Sequence, residues 1–92
     1  MPVLSGARCL DLFAGSGALG FEAASRGAAQ VVMVDSARDV VSALRENAEL
    51  FSATSVQIYQ QDAASYLAAG PGPFDVVFLD PPFSSPALLM QS

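Results

Sequence analysis

Near the end of this chain the apolar run Val76-Val77-Phe78-Leu79 is stopped by Asp80-Pro81-Pro82-Phe83. A short apolar run rich in β-branched and aromatic residues predicts a buried strand. Two consecutive prolines give no N–H to a sheet ladder, so the strand must end where they begin. An acidic group, two rigid peptide units and an aromatic ring therefore stand together at the carboxyl end of a strand. In open α/β sheets, ligands bind outside that edge.

The rest of the chain alternates strand and helix patterns. Arg8 to Phe13 predicts strand one, Ala14-Gly15-Ser16-Gly17 a turn, and Ala18 to Arg26 a helix capped at its C-terminus by Gly27. Gln30 to Val34 predicts strand two, which ends at Asp35. Ser36 is placed as the N-cap of a second helix, on which Val40, Val41, Leu44, Ala48 and Phe51 share one face. Thr54 to Gln60 predicts strand three, where Val56 and Ile58 alternate with Gln57 and Tyr59, as on an edge strand. Asp62 ends it, and Ala63 to Ala69 predicts a short third helix. Gly70-Pro71-Gly72-Pro73 is a loop, Phe74 to Leu79 predicts strand four, and Ser85-Pro86 reads as the opening of a further helix. Such alternation gives one α/β domain with a parallel sheet and right-handed crossovers.

Composition agrees. Of 92 residues, 52% are hydrophobic and 14% charged, which argues against disorder and suits strands buried on both faces. No apolar run reaches the ~18 residues of a membrane helix, and Met1 to Ser5 lacks the pattern of a signal peptide. Cys9, the single cysteine, reads as a small core residue in a reducing compartment. The net charge is −5, with four Arg and no Lys. Nucleic-acid affinity depends on cations that displace phosphate counterions, so this stretch by itself lacks that footprint.

Three stretches carry chemistry, all at predicted carboxyl ends of strands. Gly15-Ser16-Gly17-Ala18-Leu19-Gly20 is a G-x-G-x-x-G between strand and helix, with Asp35 lying 20 residues beyond Gly15. Glycines there permit a tight turn and close approach of backbone N–H groups to a ligand, and an acid at that distance accepts hydrogen bonds from ribose hydroxyls. The plainer reading is an ordinary strand-to-helix turn. Asp11 is either a buried carboxylate of the site or a cap for the N–H groups of the turn. Gln61-Asp62-Ala63 is by itself a strand end followed by a helix N-cap. Beside Asp35, the Asp62 carboxylate would also be placed to accept from the exocyclic amine of an adenine.

In Asp80-Pro81-Pro82-Phe83, the carboxylate and the Pro81 carbonyl are two acceptors for an amino group, and Phe83 can stack on the flat ring bearing it. The plain alternative is a strand stopped by prolines beside a core Phe. An amino nitrogen conjugated into a ring is a poor nucleophile. Acceptors that favour its pyramidal form free the lone pair for methyl transfer, which then needs mainly alignment and exclusion of water.

Leu10 to Gly20, Asp35, Asp62 and Asp80-Pro81-Pro82-Phe83 together resemble S-adenosylmethionine-dependent amino methyltransferases. The wording F-A-G-S-G-A-L-G and D-P-P-F is most similar to the RsmD family, bacterial enzymes that methylate guanine N2 in 16S ribosomal RNA. The resemblance runs from about Arg8 to Phe83. It implies a Rossmann-like class I methyltransferase sheet in the order 3-2-1-4, with later strands missing, so that residues 1–92 form part of a domain. It implies a cofactor cradle from Phe13, Ala14, Gly15 and Gly17, with Asp11 near the methionine moiety, Asp35 on the ribose, and Asp62 with Ala63 at the adenine. Asp80, Pro81, Pro82 and Phe83 would grip a flipped guanine as the catalytic tetrad. No metal is implied.

The family usually has Glu where this chain has Asp35, and it carries an N-terminal basic segment and three further strands. The expected partner is 16S ribosomal RNA or the assembling small subunit, in the cytoplasm and away from membranes, with a monomeric parent and a self-associating fragment. A nicotinamide-dependent oxidoreductase accounts for the glycines and Asp35 but leaves D-P-P-F unused. A cofactor-binding module without turnover is the non-enzymatic alternative.

Overall fold

The computed structural model describes residues 5–79. Among these, four strands and three helices alternate: β1 (Arg8–Leu12), α1 (Ala18–Ser25), β2 (Gln30–Asp35), α2 (Arg38–Leu50), β3 (Val56–Gln60), α3 (Ala63–Ala68) and β4 (Val76–Leu79). The strands form one parallel sheet in the order β3-β2-β1-β4. The expected α/β class, strand order and edge position of β3 are all found.

The order decides where the helices lie. From β1 to β2 to β3 the chain steps one way, and from β3 to β4 it jumps back across two strands. Right-handed crossovers must then cover opposite faces of the sheet. On one face Cys9, Val31, Met33 and Phe78 pack with Ala23 of α1 and Leu44 of α2. On the other, Leu10, Leu12, Val32 and Val34 pack with Ala63 and Tyr66 of α3 and with Phe74. The central strands are buried on both faces, which is why they read as unbroken apolar runs. The strand order reverses between β1 and β4, which is the kind of switch point at which α/β sheets bind ligands.

The polar groups of Arg8 hold β4 in place. Its backbone N–H donates to Asp75 Oδ2 (2.8 Å), and its backbone oxygen accepts from the Asp75 N–H. Its guanidinium donates to the Pro73 oxygen and to Gln30 Oε1, and lies 5.2 Å from the centre of the Phe74 ring. These contacts start β4 opposite β1, so that Leu79 falls beside Leu12.

Several boundaries differ from expectation. β1 ends at Leu12, because Phe13 turns into the left-handed region. β3 begins at Val56, since Thr54 is held in a turn by its N–H bond to Ser52. β4 begins at Val76, because Phe74 and Asp75 are engaged with Arg8. α1 and α3 each end one residue early, at Ser25 and Ala68, with Arg26 and Ala69 as C-caps. Ser36 is not the N-cap of α2: Ala37 holds that position and no side chain caps the helix. The predicted face of α2 is found with Val41 and Leu44 buried, while Phe51 is 63% exposed and meets the Phe21 ring edge-on. Cys9 is fully buried, and burial pushes its thiol pKa up, with the Asp75 charge adding to it. No helix among the described residues is long and apolar enough to cross a membrane. The opening of a helix at Ser85-Pro86 lies outside the described residues.

Both longer helices stop in the same way. Past α1, the Gly27 and Ala28 N–H groups bond back to Ala24 and Ala23, with Gly27 at φ 90°. This is a Schellman ending, which needs a left-handed residue. Past α2, Ser52 and Ala53 bond back to Glu49 and Ala48 in the same pattern, but the left-handed residue is Ser52, at φ 52°. A side chain there is strained where glycine is not. Ser52→Gly is expected to stabilise the protein by about 0.5–1 kcal/mol, read by urea unfolding; an unchanged or lower midpoint would show that Ser52 carries no such strain.

Candidate functional site

The glycine turn leaves β1 at the switch point of the strand order, and its three glycines do different work. Gly15, at φ 55°, has open space where a side chain would be: a Cβ there would meet only the Phe13 oxygen, at 3.9 Å. Gly17, at φ 80°, is the N-cap of α1, and a Cβ would press on Leu44 Cδ2 (2.6 Å) and the Phe21 ring. Gly20 is buried in α1, where a Cβ would run into the Met33 side chain and lie 3.3 Å from Asp11 Oδ2. Gly17 and Gly20 thus serve packing of helix on helix and helix on strand. Gly15 is the one that leaves backbone open to a ligand.

Phe13 precedes this turn at φ 59° and is 37% exposed. A left-handed backbone costs a bulky L-residue roughly 1–2 kcal/mol. That conformation directs the next two N–H groups toward the end of β2. The Ala14 N–H donates to the Val34 oxygen (3.1 Å) and the Gly15 N–H to Asp35 Oδ2 (3.0 Å). The other carboxylate oxygen, Asp35 Oδ1, accepts from the Ala37 N–H (2.9 Å). Asp35 is half-buried at the carboxyl end of β2.

Asp11 is 2% exposed and lies on the α1 face of the sheet, with Oδ2 beneath Gly20. Asp62 is the N-cap of α3, its Oδ1 accepting from the Ser65 N–H (2.8 Å) and its Oδ2 from the Ser65 hydroxyl (2.8 Å). Ala63, the first residue of α3, packs against Leu10, Leu12, Val32 and Val34. Phe13, Ala14, Gly15 and Asp35 come together at one edge of the sheet, and Gly17 stands at the start of α1 beside them. Asp80, Pro81, Pro82 and Phe83 lie outside the described residues.

Two features were not foreseen from the residues. One is the strained Phe13; the other is the Asp35 bond to the glycine turn, whose only trace is the 20-residue separation of Gly15 and Asp35. A groove of about 860 Å³ runs between α1 and α2, lined by Ser16, Phe21, Asn47, Phe51 and Ser55 among others, and none of the cradle residues lines it. No cluster able to hold a metal ion occurs among the described residues.

The model of the family described as conserved hypothetical protein 95 matches residues 1–92. The chain belongs to that family. It is the RsmD family, as the relatives show. Ribosomal RNA small subunit methyltransferase D of Escherichia coli strain K12 is 44% identical over 82 residues, covering 89% of this chain and 41% of the relative. The Haemophilus influenzae protein of the same name is 41% identical over 87 residues, covering 90% of this chain and 45% of the relative. The chain thus spans less than half the length of these RsmD relatives. A solved structure of an Escherichia coli protein provisionally named a methyltransferase, yhhF, superposes with a TM-score of 0.85 at 44% identity, covering 89% of this chain and 46% of that one. At 22% identity, the C-terminal domain of precorrin-6Y C5,15-methyltransferase from Rhodobacter capsulatus shares the fold, with a TM-score of 0.75 and coverage of 91% and 45%. The RsmD fold is therefore that of class I methyltransferases.

Two outcomes test this geometry. Gly20→Ala gains up to ~1 kcal/mol of helix preference but overfills the space above Met33, which costs ~1–3 kcal/mol. Packing should win, giving a net loss of about 1–2 kcal/mol in denaturant unfolding that Met33→Val partly restores. A variant as stable as wild type would show that the Met33 side chain simply swings aside.

The Asp62 carboxyl is held below the ordinary carboxylate range, first by the Ser65 N–H and then by the Ser65 hydroxyl. A lowered folded pKa means that its support for α3 is present above the unfolded pKa and is lost as pH falls through the folded one. Protection of the Ser65 amide from hydrogen exchange should therefore fall below the ordinary carboxylate range, and Asp62→Asn should flatten that dependence. An unchanged acid dependence in Asp62→Asn would remove the cap from the explanation.

Proposed function

We propose that the protein containing this chain transfers a methyl group from S-adenosylmethionine to the exocyclic N2 amino group of a guanine in 16S ribosomal RNA. The observation that carries this is the register of β1 and β4. Leu12 pairs with Leu79, so the glycine turn leaves the sheet beside the residue that Asp80-Pro81-Pro82-Phe83 follows in the chain. The cofactor cradle would then follow one of two adjacent strands, and the amine-binding tetrad would follow the other in the chain; α/β sheets bind ligands at such switch points. The names of the relatives, as ribosomal RNA small subunit methyltransferases, support the reaction class and the RNA substrate.

The described residues fit the cofactor. Gly15 leaves its backbone open, and Asp35 presents a carboxylate at the end of β2, where hydroxyl donors of a ribose are recognised. Phe13, Ala14, Gly15 and Gly17 would form the wall of the cradle, Asp35 would take the ribose, and Asp62 with Ala63 would flank the adenine. Asp11 would act from beneath, behind Gly20, on the methionine side. The cofactor supplies an activated sulfonium methyl group. Asp80 and the Pro81 carbonyl would accept the N–H bonds of the guanine amine and favour the pyramidal nitrogen. Pro82 would keep the segment rigid, and Phe83 would stack on the flipped base and exclude water. The substrate is 16S ribosomal RNA, free or in the assembling small subunit, and the compartment is the cytoplasm. Cationic contacts to the RNA would come from parts of the protein beyond this acidic stretch.

In the full-length enzyme, Asp80→Ala should lower kcat for methylation of unmethylated small-subunit RNA by roughly 10²–10³-fold, as when one preorganised transition-state contact is removed. Affinity for S-adenosylhomocysteine, measured by calorimetry, should stay near wild type, because Asp80 is assigned to the acceptor amine. Loss of cofactor affinity with kcat retained at saturation would overturn the assignment. Heat on titration with NAD, and none with S-adenosylhomocysteine, would favour the oxidoreductase reading instead.

A further inference from the structure

We propose that Asp35 is a positioning residue in addition to its ribose-binding role: its carboxylate latches the glycine turn to the end of β2 and holds Phe13 in its left-handed conformation. The effect on ligand affinity rests on the cofactor reading above; the latch itself does not.

The argument begins at Phe13. An aromatic L-residue at φ 59° does not stay there unless its surroundings hold it. Two hydrogen bonds cross from the residues just after it to β2. One is backbone to backbone, from Ala14 N–H to the Val34 oxygen at 3.1 Å. The other ends on a side chain, from Gly15 N–H to Asp35 Oδ2 at 3.0 Å. The same carboxylate is anchored on its far side by the Ala37 N–H at 2.9 Å, so it cannot swing away freely. The Gly17 N–H then closes the turn on the Ala14 oxygen at 2.8 Å. Removing the carboxylate leaves a single tie across this gap, against a strained residue.

A carboxylate has about four lone-pair sites, and these two N–H groups use one on each oxygen. Hydroxyl donors can therefore be accepted without releasing the latch. The turn is already in its binding conformation when a ligand arrives, which removes an ordering cost from binding. A carboxylate that only bound ribose would have no such effect on the empty protein.

The test uses the full-length protein without ligand. Asp35→Asn is nearly isosteric and keeps one oxygen, which the local contact to Ala37 can retain, while its NH₂ faces the Gly15 N–H. Amide exchange at Gly15 should accelerate by about tenfold or more, with Ala37 changed far less. Unchanged exchange at Gly15 overturns the latch. A second variant covers the case in which Asp35→Asn folds poorly. In a Phe13→Gly background no strain is released when the latch is cut, so the drop in Tm caused by Asp35→Asn should be clearly larger than in wild type, where Phe13 relaxes and returns part of the loss. Equal drops overturn the link to Phe13. Finally, a 2′,3′-dideoxy analogue of S-adenosylhomocysteine, which has no ribose hydroxyls, should bind Asp35→Asn more weakly than wild type. Equal affinity overturns the preorganising role. If wild type binds neither form of S-adenosylhomocysteine, the cofactor reading fails while the exchange result still decides the latch.

Discussion

Everything at the candidate site depends on β1 being hydrogen-bonded on both sides. Its residues pair with β2 from Arg8↔Gln30 to Leu12↔Val34, and with β4 from Cys9↔Val76 to Leu12↔Leu79. Three chain segments therefore reach the same edge of the sheet within a residue of one another. In a parallel sheet a slip of one residue would turn each strand's side chains to the opposite face. Both faces are covered, so every residue of β2 from Val31 to Val34 is buried. The bonds between Arg8 and Asp75 secure the outer strand at its start, far from the site, and their consequence is felt at its end.

The edge so formed is polar in a specific way. Backbone N–H groups of the glycine turn point at β2, and one acidic side chain meets them there. Asp35 ends β2 and Asp62 follows β3 as the N-cap of α3, and they act differently. Asp62 turns along its own helix and satisfies Ser65, a local contact three residues away. Asp35 reaches back across the sheet to a residue 20 positions earlier, as well as forward to Ala37. The first organises a helix, and the second joins two loops. A carboxylate that bridges loops is the one whose environment resembles a ligand site, because its geometry is set by tertiary contacts on both oxygens.

The glycines make a parallel point about packing. Their motif suggests one tight turn open to a ligand, but of the three only Gly15 faces open space. Gly17 and Gly20 let α1 approach α2 and β2 closely enough for Leu44 and Met33 to be buried. The turn can expose its backbone because the helix behind it is pinned.

Which segments became strands and helices was legible in the sequence, since apolar runs and alternating polar residues report burial directly through the period of the backbone. The edge position of β3 and the apolar face of α2 were legible for the same reason, while the strand order was implied by the resemblance to RsmD proteins. The pairing of Gly15 with Asp35 was visible as a spacing, though not as a bond. Element ends were less legible. Ser36 looks like an N-cap in isolation, but α2 starts one residue later, with Ala37 at the N-cap and its N–H held by the Asp35 carboxylate. The end of α2 carries no glycine, and only the folded chain shows Ser52 taking the left-handed position that glycine holds after α1. Phe13 is the sharpest case. Nothing in an aromatic residue announces a positive φ, and its conformation follows from hydrogen bonds to a strand two elements away. Local pattern determined what each segment becomes, because burial and backbone period act within a few residues. Tertiary structure decided where segments stop and which polar groups meet, because those outcomes rest on partners distant in the chain.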